Sequence, residues 1–98
     1  IAKSDIKVIE NALEKVDTLS GNTYELHNTS GGTTRSAGLI AQEVQEVLPE
    51  AVTQDNEEDG GMLRLNYNSV IALLVESVKE LSAEVKGLKA EIEELKSK

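Results

Sequence analysis

Few side chains in this sequence can do chemistry, and most of them stand alone. There is one His and no Cys. His27 therefore has no second imidazole or thiolate with which to share a metal or build a nucleophile–base pair. It reads as a surface residue beside a polar loop. Asp55, Glu57, Asp59 and Gly60, in "DNEEDG", follow the spacing of the first half of a calcium-binding loop. Where such a loop closes with a bidentate Glu, this chain has Asn66. The segment reads as a solvated hairpin tip. Arg35 stands at the base of a Gly-rich loop, where it is expected to pair with an acidic neighbour. Lys3 precedes Ser4 directly, but adjacent side chains rarely face each other, and Ser4 suits a helix cap. From spacing alone, Lys3 has no partner. No metal and no cofactor are expected.

The elements that would position these groups are clearer than the groups. The chain has 98 residues and a formal net charge of −8. That acidity counts against nucleic acid and against anionic membranes as partners. No apolar run approaches the length of a membrane span, and no signal peptide is apparent. Two Tyr are the only aromatics, so a core must come from Val, Leu, Ile and Ala. A chain this small gains buried area by association with copies of itself. Beginning at Ile1, it reads as a piece of a longer protein.

Ile6, Ile9, Leu13 and Val16 recur at helical spacing, which predicts a helix over 4–16 capped by Ser4. Thr23–Leu26 and Ser36–Ile40 flank the polar "HNTSGGTTR" as strands of a hairpin. Gln42–Leu48 reads as a short helix closed by Pro49. Ala51–Thr53 and Met62–Leu65 predict a second hairpin. Leu39, Ile40, Val44, Val47 and Leu48, in "GLIAQEVQEVLPEAV" (38–52), are expected to pack against the long helix near Val70, Leu74 and Val75.

From Asn66 onward the pattern is a heptad repeat. Ile71, Val78, Val85 and Ile92 take position a, and Leu74, Leu81, Leu88 and Leu95 take position d. In a helix, residues 71–95 span roughly 37 Å. Glu84 and Glu91 at g would face Lys89 and Lys96 at e of a parallel neighbour. Each such pair is worth only ~0.5 kcal/mol, but together they favour the parallel arrangement. Val70 at g and Val75 at e widen the apolar stripe. That width implies either more than two strands or burial beneath the rest of the chain, and periodicity alone leaves dimer and trimer open.

Three blocks carry a family resemblance in order and spacing: "DIKVIENALEKVDTLSGNTYEL" (5–26), "AGLIAQEVQEVLPEAV" (37–52) and "LRLNYNSVIALLVESVKEL" (63–81). Together they resemble the C-terminal intramolecular chaperone domain of bacteriophage tail spikes and tail fibres. That module is the endosialidase-type autoproteolytic peptidase family, with a relative in the myelin regulatory factor. The resemblance implies a homotrimer that assists folding of an upstream fibre domain of the same polypeptide and then cuts itself off. The family cuts with a Ser/Lys pair in the pattern Ser-Asp, three residues, Lys. Lys3 occupies the Lys position, as general base. The Ser would stand three residues upstream of Ile1, so residues 1–98 would not cleave by themselves. Ser4-Asp5 does not fit the pattern, since Ile9 stands where Lys would.

The resemblance implies an α+β fold: a small head of short helices and β-hairpins (at about 23–40 and 51–65), then a long C-terminal helix forming a parallel trimeric coiled coil. The head would cover 1–66 and the stalk 67–98. The resemblance also implies work in the host-cell cytoplasm during phage assembly, and absence from the mature virion. A non-cleaving structural trimerisation domain is the competing reading.

Overall fold

The computed structural model describes residues 2–54 and 62–98. Its shape is elongated, 67 × 37 × 21 Å. The order of elements is α1 (Ala12–Asp17), β1 (Asn22–His27), β2 (Thr33–Gly38), α2 (Ala41–Val47), a single 3-10 turn (Pro49–Ala51), β3 (Val52–Gln54), β4 (Leu63–Leu65) and α3 (Tyr67–Lys96). β1–β2 and β3–β4 form two separate antiparallel two-stranded sheets. The expected α+β architecture, with a long terminal helix, is what the chain adopts.

The N-terminal helix is shorter than its apolar spacing predicts. The chain stays irregular to Asn11, and helix begins only at Ala12. Asp5 and Asn11 both sit at positive φ, 52° and 55°. Left-handed backbone breaks a right-handed helix, and short polar side chains such as these tolerate it best. Ser4 therefore does not open a helix. Ile6 and Val8 are 81% and 68% exposed. The face that packs is Ile9, Ala12, Val16 and Leu19 rather than the predicted Ile6, Ile9, Leu13 and Val16. Ala12 is fully buried, and its small side chain lets α1 lie close against α3.

Both hairpins form; in the first, the strands extend further toward the turn than predicted, and the returning strand ends at Gly38 rather than Ile40. In β1–β2 the register pairs Asn22 with Gly38 and His27 with Thr33. Gly31, at φ 90°, makes the reversal, closed by Asn28 N–H donating to Gly32 O at 2.8 Å. Only the base of this hairpin is partly buried. A Cβ on Gly38 would stand 2.8 Å from Tyr67 Oη and 2.9 Å from Tyr24 Oη, so both aromatic side chains close on this one position. β3–β4 pairs Val52 with Leu65. The "DNEEDG" segment expected to close it lies outside the described residues.

The core is Ala12, Val44, Leu48, Ala51, Val70 and Leu73. The 38–52 block supplies Val44, Leu48 and Ala51 directly, with Leu39 and Val47 packed against them. Ile40 departs from expectation: it caps α2 in extended conformation and is 38% exposed. On the helix side the partners also differ. Val70 is buried as expected, but Leu73, not Leu74 or Val75, completes the core. α3 starts where Asn66 Oδ1 accepts the Ser69 N–H and the Asn66 N–H donates to Ala51 O. These bonds tie the helix start to the end of the 38–52 block.

Leu73→Ala should lower unfolding stability by about 2–5 kcal/mol, because it opens a cavity in the core that α1, α2, the 3-10 turn and α3 share. Leu74→Ala, one residue on and exposed, should leave amide hydrogen exchange at Ala12 and Val16 unchanged. Exchange measured on both variants checks the assignment.

Candidate functional site

The functional surface is best built outward from α3. This helix has 30 residues, or about 45 Å of length. Val70, Leu73, Ser77 and Glu80 follow one another at spacings of three and four. They lie along heptad positions g and c, and the head covers them. Val70, Leu73 and Ser77 are buried. Ser77 Oγ donates to Leu73 O at 2.8 Å, so this buried hydroxyl is satisfied within the helix. Glu80 ends the row and does something different. Its carboxylate reaches α1, accepting the N–H of Ala12 on Oε2 at 2.8 Å and the N–H of Leu13 on Oε1 at 2.9 Å.

Those two N–H groups belong to the first turn of α1, where no intrahelical partner exists. Asn11, the residue before, gives no side-chain cap. Glu80 thus caps a helix some 67 residues away in sequence. The N–H bonds from Leu13 and Ala12 hold its carboxyl below the ordinary value of 4.5; partial burial opposes them, and the charge of Lys15 helps slightly. A second carboxylate secures the other end of α1. Glu43 Oε1, on α2, accepts from Ser20 N–H at 3.1 Å and Ser20 Oγ at 2.8 Å. Asn22 Nδ2 donates in turn to Ser20 Oγ and Ser20 O.

The adjoining face of α3 is uncovered. Ile71, Leu74, Val78, Leu81, Val85, Leu88, Ile92 and Leu95 are between 42% and 66% exposed, and Val75 beside them is 51% exposed. Every residue of the helix from Leu81 onward is exposed. The widened stripe therefore divides in two: Val70 at g belongs to the head contact, while Val75 at e remains with the open seam.

The other candidates lie apart. Lys3 is exposed, in the irregular segment before α1. Further along that segment, Lys7, Val8 and Ile9 share a groove with Ala72, Val75 and Glu76 of α3. His27 is exposed at the end of β1. Arg35 lies across the hairpin from Glu25 in register, and its Nη2 donates to Thr23 Oγ1 at 2.8 Å, so a neutral hydroxyl takes the contact expected of an acid. Among the described residues no group of three or more His, Cys, Asp or Glu is placed to hold a metal, and no helix is long and apolar enough to cross a membrane. Sequence reasoning missed Glu80, Glu43 and Leu73. The one signal for Leu73 and Glu80 is the second row, 70, 73, 77 and 80, beside the a/d seam.

Because the folded pKa of Glu80 is depressed, its stabilising effect is full above the unfolded value and fades as pH falls through the folded one. Glu80→Gln should therefore lower the thermal midpoint most near neutral pH. Its deficit against the unmodified chain should shrink below about pH 4.5. Melting curves of the two chains from pH 7 to pH 3 check this.

Residues 2–53 match the model of the peptidase S74 family, described as chaperone of endosialidase. The chain is also similar to the long tail fiber protein Gp37 of Enterobacteria phage K3, 45% identical over 93 residues. That alignment takes 92% of this chain and 8% of the phage protein. Gp37 of Enterobacteria phage T2 is likewise 45% identical over 92% of this chain, covering 7% of its own length. Gp37 of Salmonella phage S16 is 39% identical over 96% of this chain and 13% of its length. The chain thus spans a small fraction of each of these fibre proteins. On the match across its head, the chain belongs to the chaperone of endosialidase family.

Proposed function

We infer that this chain is an intramolecular chaperone for a phage long tail fibre, that it works as a parallel homotrimer, and that Ser/Lys autoproteolysis then releases it. The observation that carries the reading is the apolar seam from Ile71 to Leu95, left open on a helix whose second half is exposed throughout. A lone helical stretch of about 16 residues is marginal in water. Closing the seam would add roughly 1 kcal/mol for each of the half-exposed residues. Burial on this scale would make assembly concentration-dependent. The similarity to tail fibre proteins supports a fibre client, which on this reading is a β-rich region upstream in the same polypeptide.

The physical logic of such a chaperone is a search problem. Bringing three chains into register along a fibre requires non-local pairings with large closure costs. A helical seam forms from local contacts and holds the three chains at high effective concentration. Release would then follow from the Ser/Lys pair, with Lys3 taking the proton from an upstream Ser hydroxyl. A Lys serves as a base at neutral pH only if burial or a nearby cation lowers its pKa. Lys3 is exposed in the single chain, so assembly would have to supply that environment. The setting is the host cytoplasm during phage assembly, and the released piece would be missing from the virion.

Leu88→Asp should abolish the trimer, read by sedimentation, because it places three charges in one seam layer. In a fibre chain extended upstream to include the Ser, Lys3→Ala should leave the protein at full mass. Assembly with unchanged full mass in the unmodified long chain would instead identify the non-cleaving structural trimerisation domain.

A further inference from the structure

Self-cleavage poses a geometric problem. Lys3 sits on an irregular segment, yet a general base must be held close to its target proton. Something must relate that segment to the assembling helix. Part of that segment, Lys7 to Ile9, lies along a groove with Ala72, Val75 and Glu76 of α3, and Ile9 packs partly against the core. At Asn11 the backbone turns through a left-handed conformation into α1. Immediately after, the N–H groups of Ala12 and Leu13 are held by Glu80 of α3. From Asn11 back to Lys3 the chain can reach about 26 Å when extended. Small freedom at its root becomes large freedom at Lys3, and a displacement of about 1 Å can cost roughly 100-fold in rate.

Resting on the cleavage reading above, we propose that Glu80 is a positioning residue for self-cleavage, tying the root of the Lys3 segment to the stalk helix. Glu80 immediately precedes Leu81 and lies two residues after Val78, both on the open seam. Closing the seam at those two positions fixes the helical turn that carries Glu80. The carboxylate then fixes the start of α1, and Asn11 sets the direction in which the segment leaves. The head covers the c side of this turn, where Glu80 bonds α1, and a neighbouring copy would cover the a/d side, so one helical turn carries both contacts. Val70 and Leu73 join head to helix by apolar contact alone. Glu80 adds a directional contact, since two N–H donors on one carboxylate specify an orientation.

The test uses the fibre chain extended upstream to include the Ser, as Glu80→Ala and Glu80→Gln beside the unmodified chain. Trimer is read by sedimentation, cleavage by mass against time, and order by hydrogen exchange. Assembled Glu80→Ala should cleave roughly 10–100-fold more slowly. Exchange should quicken at Ala12, Leu13 and residues 2–11 while staying unchanged from Val85 onward. Glu80→Gln, which keeps size and one acceptor, should fall between. An assembled Glu80→Ala trimer that cleaves at the unmodified rate overturns the proposal, as does unchanged exchange at Ala12 and Leu13. If Glu80→Ala fails to assemble, the same two readings on Glu80→Gln decide. An unmodified chain that assembles without cleaving removes the proteolytic reading itself, and this role with it, whatever the exchange data show.

Discussion

Everything in this molecule depends on α3 having two faces to satisfy and one chain with which to do so. The head is large enough to cover the g and c positions of the first three turns, where Val70, Leu73 and Ser77 are buried. It does not reach the a and d positions, and it ends before Leu81. A 30-residue helix stabilised mainly by packing is then supported along one side of its first half. The remaining apolar stripe is continuous and regular, and it runs beside the covered row. A second contact, supplied from outside the chain, is the arrangement this division of faces calls for.

The head meets a related constraint, since it has no Phe or Trp and only short runs of aliphatic side chains. Among the described residues its buried apolar set is six, two of them from α3. Carboxylates supplement that small core at the ends of α1. Glu80 closes the first turn from one side, and Glu43 holds Ser20 from another. In an acidic chain these two carboxylates are not merely solvated charge: Glu80 meets two first-turn N–H groups of α1, and Glu43 meets the N–H and hydroxyl of Ser20. The expected division at 66/67 marks the change from strand to helix, while the core runs across it. The first turns of α3 therefore belong to the head energetically, although they are continuous with the stalk.

Much of this fold is legible in the sequence, and the illegible parts have identifiable causes. The heptads can be read because seam spacing is a property of one helix, and the structure leaves all eight of those residues exposed in a single apolar stripe. The hairpins can be read from Gly31 and the polar run around it. The first helix is overextended by its pattern because Ile6, Ile9 and Leu13 mimic a helical face. Asp5 and Asn11 take left-handed backbone that composition alone does not announce. Leu73 hides inside "IALLVES": beside Leu74 it looks like more of the same seam, yet the two side chains belong to different contacts. Glu80 has no signal beyond its place in the 70, 73, 77 and 80 row, since a Glu on an acidic helix looks solvated until α1 is placed against it.

The contact between Glu80 and α1 makes head and stalk interdependent. The family match ends at residue 53, before α3 begins, whereas similarity to the tail fibre proteins runs through most of the chain. A head taken alone would lack Val70 and Leu73 from its core and Glu80 from the start of α1. It would lose both its apolar floor and the bond that orients its first helix. The stalk taken alone would keep its seam but expose Leu73 and Ser77 on a second side, widening the stripe and weakening the choice of register. Each part thus removes an ambiguity in the other: the head hides the g and c row so that only one seam remains, and the helix gives the head a fixed frame. In the proposed assembly, a seam so defined would select its partners by register, and the frame would carry that selection back to the segment on which Lys3 stands.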